Sequence, residues 1–270
     1  MYQGFELKLS NSELTSVVSA CGSYSGSLLE IGERSYRSFK RETMLKIASY
    51  SGDCNSAING NEIEEKWFPK VQRHVFISHS HADEKLALIL AGALKKQMGL
   101  DAFIDSAVWG FRDDLIKKLY GGVYGGAIYG VDTEKYLAVA AHVDCMLNKS
   151  LLEMMHNCEG LFFLNTPNSV STSGVVRKTH SAWIYGELSA SKMLHPHLDE
   201  RRGLGAVCEG LKVKNAQFSR FIEYAVDTHH LKNLTPQIMV KWFAVCKTES
   251  SPFSALDKLY QLTDCAIIGG

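Results

Sequence analysis

The chain has 270 residues, enough for one large domain or a domain with an extension, and enough to bury an ample core. Its 29 Lys and Arg balance its 29 Asp and Glu, with a pI near 7.1, so it lacks the basic footprint of a nucleic-acid binder. No basic amphipathic run suggests a membrane surface, and the longest apolar run, residues 86–94, is too short to span a bilayer. The opening MYQGFELKLS has no basic region leading into an apolar core, so no secretory signal is expected and the cytoplasm is the expected compartment. Seven cysteines stand singly, which argues for reduced thiols rather than a disulfide frame or a zinc site.

Residues 1–70 are rich in Ser, Gly and Asn. They predict helices over 12–21 and 36–47, a loop over 51–61, and a short helix over 62–68 stopped by Pro69. No chemistry is evident there, and the stretch reads as a mainly helical extension packed on the main domain or on a partner. The main domain opens with HVFIS (74–78), a short apolar run typical of a strand buried on both faces. The turn HSHADE follows, then a helix over 85–98 with Leu86, Ile89, Leu90 and Leu94 at helical spacing, ended by Gly99. A second strand is predicted over 101–104, a loop holding Trp109 over 105–110, and a helix over 111–119.

YGGVYGG (120–126) is too glycine-rich for regular structure and reads as a mobile insertion. A long helix is predicted over 143–158, with Leu147, Leu151, Met154 and Met155 as its stripe, and a third strand over LFFLNT (161–166). The polar segment 167–181 reads as loop, leading to SAWIYGEL (181–188) with Ser181 as helix cap. Residues 201–214 read as loop and 221–227 as a fourth strand. Thr235 and Pro236 start a helix reaching Cys246, and a last short helix covers 254–262. Short strands alternating with helices predict an α/β fold built on an open, doubly wound parallel sheet.

In such sheets ligands sit outside the carboxyl ends of the strands, where strand order reverses. Three segments reach that rim: the turn after the first strand, the loop from Asp105 to Trp109, and the route from the third strand to Glu187. Trp183 and Glu187 are four apart, so one helix face presents a ring and a carboxylate together. Taken alone that pair commonly means a core contact beside a solvated charge. Its place on the shared rim favours a site.

These residues resemble a bacterial TIR (Toll/interleukin-1 receptor) domain. VFISHSHADE is similar to the family's first strand and following loop, and FIDSAVWGF to its second strand and mobile loop. LLEMMHNCEGLFFLNTPNS and SAWIYGEL are similar to the helix, third strand and Trp-x-x-x-Glu helix of its enzymatic members. The similarity runs in order from about residue 71 to 194, and residues 71–270 would form the TIR-like domain. The nearest subgroup is that of stand-alone prokaryotic TIR proteins, including those of Thoeris-type anti-phage defence.

The resemblance implies a flavodoxin-like sheet and cleavage of the bond between nicotinamide and ribose in NAD, which is substrate rather than cofactor. It implies Glu187 as the catalytic carboxylate and Trp183 as an aromatic wall of the pocket. Phe76, Ser78, His79 and Ser80 would line that pocket, and Asp105 and Trp109 would belong to the mobile loop beside it. Self-association through TIR–TIR contacts is implied, as is a product, ADP-ribose or a derived signal, that a separate effector protein could read. Three features depart from the pattern: the glycine-rich insertion near 120–140, Gly186 directly before the implied catalyst, and the 70-residue extension.

One carboxylate suffices for this reaction, whereas O-glycoside hydrolases generally need two. Nicotinamide is already cationic on its ring nitrogen and leaves as a neutral base, so no general acid is needed. A single ionised carboxylate then stabilises the positive charge that develops on the ribose. Two other readings compete. His79-x-His81-x-Asp83 matches the start of the zinc signature of metallo-β-lactamase-type hydrolases, but Glu84 stands where a third His is needed. His195, His197 and the His229–His230 pair supply no convincing later ligands, and no metal is expected. In the second reading the chain is a non-enzymatic TIR adaptor acting by assembly, with Glu187 a plain surface charge. No GxGxxG or P-loop fingerprint is present, which argues against redox use of NAD.

Overall fold

The computed structural model describes residues 3–20, 22–49, 63, 72–106, 112–124, 132–173, 176–194, 223–246 and 251–268. In chain order the elements are β1 (Gln3–Leu7), α1 (Asn11–Ala20), α2 (Ser25–Ser49) and β2 (Val75–Ser78). A single 3-10 turn (His81–Asp83) leads into α3 (Glu84–Met98), followed by β3 (Ala102–Ile104), α4 (Arg112–Tyr124), α5 (Thr133–Asn157) and β4 (Gly160–Leu164). Then come β5 (Ser171–Ser173), β6 (Val176–Thr179), α6 (Ala182–Met193), β7 (Tyr224–Ala225), β8 (Lys232–Asn233), α7 (Pro236–Val245) and α8 (Pro252–Ile268).

Five strands form one parallel sheet in the order β3-β2-β4-β1-β8. Side chains alternate across it, as a pleated strand requires. Phe5, Leu7, Val75, Ile77, Phe162 and Leu164 face a core completed by α1, α2, α3, α7 and α8. Phe76, Phe103, Leu161 and Phe163 face a second core completed by α4, α5 and α6. Both faces of the inner strands are thus covered, which is why β2 and β4 read as unbroken apolar runs. The α/β architecture with helices on both faces agrees with the sequence, as do the places of β2, α3, β3, β4, α6 and α7.

The reading of residues 1–70 as an appended, mainly helical extension is corrected. β1 lies inside the sheet, pairing with β4 from Gln3↔Gly160 to Leu7↔Leu164 and with β8 on its other edge. Phe5 and Leu7 are fully buried, and Glu6 between them points to the opposite face. Helix α2 is bound equally closely. It crosses α3 with backbones almost touching: a Cβ added to Gly92 would lie 1.9 Å from the Leu28 carbonyl oxygen. The reciprocal pair, Gly32 against the Leu88 carbonyl oxygen, would come to 2.1 Å.

Four smaller expectations change as well. The polar loop expected over 167–181 contains the hairpin β5–β6, and of the fourth strand expected over 221–227 the described residues, 223–227, hold the two-residue β7. These three make a separate antiparallel sheet in the order β5-β6-β7. Helix α4 runs on through Gly121 to Tyr124, and α5 starts at Thr133 because Asp132 accepts hydrogen bonds from the Glu134 and Lys135 backbone amides. The 120–140 stretch is therefore largely two helices, with 125–131 outside the described residues. Helix α8 extends well beyond 254–262. The loop expected over 201–214 and most of the helix expected over 62–68 also lie outside the described residues. Gly99 ends α3 as expected, at φ 69°, where its amide reaches the Leu94 and Lys95 carbonyls.

Two glycine variants test the packing of the helices by thermal unfolding. Gly92→Ala forces α2 and α3 apart and is expected to cost about 1–3 kcal/mol. Gly186→Ala, on α6 with nothing within 4 Å of an added Cβ, is expected to gain about 0.5–1 kcal/mol. Deleting residues 1–24 removes an inner strand and should abolish the cooperative transition, where a dispensable extension would leave it intact.

Candidate functional site

Helix α6 starts where Ser181 Oγ accepts the Ile184 amide at 3.2 Å, and Thr179 Oγ1 at the end of β6 accepts the Ser181 amide at 3.1 Å. Its buried stripe is Ile184, Glu187, Leu188 and Ser191, at the helical spacing of three and four. Glu187 thus occupies a core position rather than a solvated one, and its exposure is 0%. That burial places its carboxyl at the carboxyl end of β2, on the sheet face shared with Phe76 and Phe163.

Ser78, the last residue of β2, donates its hydroxyl to Glu187 Oε2 at 2.5 Å. Glu187 Oε1 receives no hydrogen bond among the described residues. Its charged neighbour is Asp105, directly after β3. Asp105 Oδ1 also lies 2.7 Å from His79 Nδ1, and both of those side chains are buried. Burial first, and then the negative charge of Asp105, lift the Glu187 carboxyl well above its ordinary value, against the opposing pull of the Ser78 hydrogen bond. At His79 burial disfavours the cation, yet the charge and hydrogen bond of Asp105 outweigh it and raise the imidazole. The cluster therefore sets a Glu187 carboxyl biased toward its neutral form beside the Asp105–His79 contact, where the imidazole is biased toward its charged form.

A second set of bonds ties the turn after β2 to the turn after β4. Asp83 accepts from Thr166 Oγ1 at 2.5 Å and from Asn168 Nδ2 at 2.9 Å. Ser169 Oγ braces that turn by donating to the Leu164 carbonyl. From α2, the Tyr36 hydroxyl stands 3.4 Å from Ser106 Oγ at the edge of the β3 turn. Thr166, Asn168 and Tyr36 were not foreseen, and Asp83 was considered only as a metal ligand. Their position shortly after strands, or on a helix that reaches the rim, is the signal for them.

Of the expected site residues, Ser78, His79, Asp105 and Glu187 converge in one buried cluster. Trp183, one turn before Glu187, is half-buried on the same helix. Ser80 is half-buried and its carbonyl accepts the Asp83 amide at 2.7 Å, closing the 3-10 turn. Phe76 is fully buried in the second core, 5.4 Å from the Phe103 ring. Trp109 lies outside the described residues. The metal reading finds no geometry here, since His79 pairs with Asp105, the His81 side chain is 92% exposed, and Asp83 is occupied by Thr166 and Asn168. Among the described residues no group of three or more His, Cys, Asp or Glu is placed to hold a metal ion. No helix among them is long and apolar enough to cross a membrane.

Comparison with family models, with curated proteins and with solved structures finds no match to this chain. The chemistry of the cluster has to be argued from its own atoms. It sets a carboxyl biased toward its protonated form beside a second acidic side chain and an imidazole.

The burial of Glu187 has a measurable consequence. Its folded value is raised, so as pH climbs past about 4.5 the unfolded chain ionises first and is favoured. The stability this group provides is complete below that pH and is lost as pH rises toward the folded value. Glu187→Gln lacks that loss. Urea unfolding should find the variant gaining on wild type as pH rises above about 4.5, by about 1.4 kcal/mol for each unit of upward shift. Below that pH the difference should stay constant. Parallel curves at all pH would remove the case for a neutral Glu187.

Proposed function

We propose that the chain is a TIR-type enzyme that cleaves the nicotinamide–ribose bond of NAD. The observation that carries the reading is Glu187, the carboxyl of a Trp-x-x-x-Glu helix, meeting Ser78, His79 and Asp105 at the carboxyl ends of adjacent parallel strands. Strand order reverses there. The chain passes outward from β2 to β3 and returns across to β4, and ligands of open parallel sheets collect at such a point.

The sheet order supports a flavodoxin-like, TIR-type fold. Counted from β2, the order β3-β2-β4 is that of the first three strands of such sheets, and β8 holds the place of the fifth. The fourth place is taken by β1 from the N-terminus, a departure from the simple pattern.

In this reaction Glu187 acts as an anion beside the ribose. Nicotinamide departs with the bonding electron pair and becomes neutral, while the ribosyl carbon takes on positive charge that Glu187 stabilises. Trp183, one helical turn away, offers a flat apolar surface for a base. Water, or a second group of the same nucleotide, then attacks the ribosyl carbon and gives up its proton, yielding ADP-ribose or a derived signal. We read the protein as a cytoplasmic defence enzyme that works by TIR–TIR self-association and whose product a separate effector can read.

A second reading, a TIR adaptor acting by assembly alone, draws support from the 0% exposure of Glu187, which suits a purely structural carboxyl. One experiment decides between them. Protein at low and high concentration is incubated with NAD and the products are identified by mass spectrometry, with Glu187→Gln alongside. The enzyme reading expects nicotinamide with ADP-ribose, a cyclic isomer or a conjugate, and at least about a 100-fold drop in the variant. Absence of nicotinamide at every concentration, or equal release by the variant, sinks it.

A further inference from the structure

We propose that Ser78 and the paired Asp105 and His79 are positioning residues that set the proton on Glu187, Asp105 holding it and Ser78 favouring its release, until a nucleotide with a cationic nicotinamide arrives beside it. The nature of that ligand rests on the NAD-cleaving reading; the holding of the proton does not.

The cluster contains two carboxyl groups, one imidazole and one hydroxyl, all shut off from water. Ser78 supplies its single proton to Glu187 Oε2. Asp105 faces the Glu187 carboxyl and, a short distance away, the His79 ring. Two carboxylates in contact inside a core would repel strongly, so one of them must keep a proton. His79 decides which one. It pairs directly with Asp105, while burial first and then the charge of Asp105 bias Glu187 toward its neutral form.

Other charges acting on these groups come from two elements. Glu84, at the start of α3, adds to the negative field at His79, and Tyr36 on α2 stands beside Ser106 as a neutral phenol. On α6 itself, Lys192 is engaged with Asp227. The cationic nicotinamide of a nucleotide bound beside Glu187 favours the anion, and the displaced proton passes to solvent. A neutral nucleotide offers no such exchange, so the arrangement selects an oxidised, cationic nicotinamide.

Two variants move the Glu187 proton in opposite directions, which a merely structural role for these residues would not do. Infrared difference spectra of the ligand-free protein follow the protonated carboxyl band through a pH titration, with Glu187→Gln identifying the band by its loss. Asp105→Asn removes the repelling charge and should lower the midpoint by about one unit or more. Ser78→Ala removes the bond that favours the anion and should raise it.

Opposite shifts support the proposal. A Glu187 that is ionised at neutral pH in wild type, or a midpoint that neither variant moves, overturns it. Where Asp105→Asn does not fold, the upward shift in Ser78→Ala supports the proposal, and a downward or absent shift overturns it. The test also separates the two readings. Shifts as expected in a protein that never cleaves NAD defeat the proposed function alone, and NAD cleavage with an unmoved midpoint defeats this inference alone.

Discussion

A carboxyl group cut off from water has to be neutral or closely paired, and at Glu187 this requirement governs how the strand ends meet helix α6. The helix brings the group in on its buried stripe, between Ile184 and Ser191, where an apolar side chain would pack with less cost. Ser78 meets one of its oxygens, and Asp105 and His79, just beyond the ends of two different strands, meet each other close by. The rim of the sheet is thus built around a buried polar cluster.

How much of this could be read from the sequence depended on how local each signal was. β2, β3 and β4 are short apolar runs between turn residues, and Ser78, His79 and Asp105 stand directly after or at the end of them, so strand and rim residues emerged together. β1 shows the limit. Its alternation of Phe5, Glu6 and Leu7 is a strand pattern, but only five residues long, and its partner β4 begins at Gly160. Nothing local announces that pairing. The hairpin β5–β6 was hidden for a related reason: its residues are mostly polar, and its strands pair with each other.

Within the site the same distinction holds. Phe76 and Ser78 share a strand face, yet they differ in depth by about two residues of rise, near 7 Å. That distance separates a core ring from a rim hydroxyl, and sequence spacing alone does not say where the rim begins. Asp83 with Thr166 and Asn168 is a contact between two turns that become neighbours only once β2 and β4 pair.

The N-terminal strand also bears on the position of Glu187. Glu6, on the face of β1 opposite Phe5, receives Asn165 at 2.5 Å, Arg177 at 2.9 Å and Thr228 at 3.1 Å. Arg177 belongs to β6, which leads into the cap of α6, so β1 anchors the small sheet from which the Glu187 helix departs. Tyr185 stacks on Tyr224 of β7 with ring centres 4.6 Å apart, and Ser191 meets His230 at 2.7 Å. Helix α6 is therefore fixed along its length to the small sheet and the chain after it. The turn at Asp105 is held by His79 at 2.7 Å and by the Ser106 amide, with the Tyr36 hydroxyl 3.4 Å from Ser106 Oγ. On the NAD-cleaving reading, the Glu187 carboxyl is thus held in place by a helix that β1 helps to anchor.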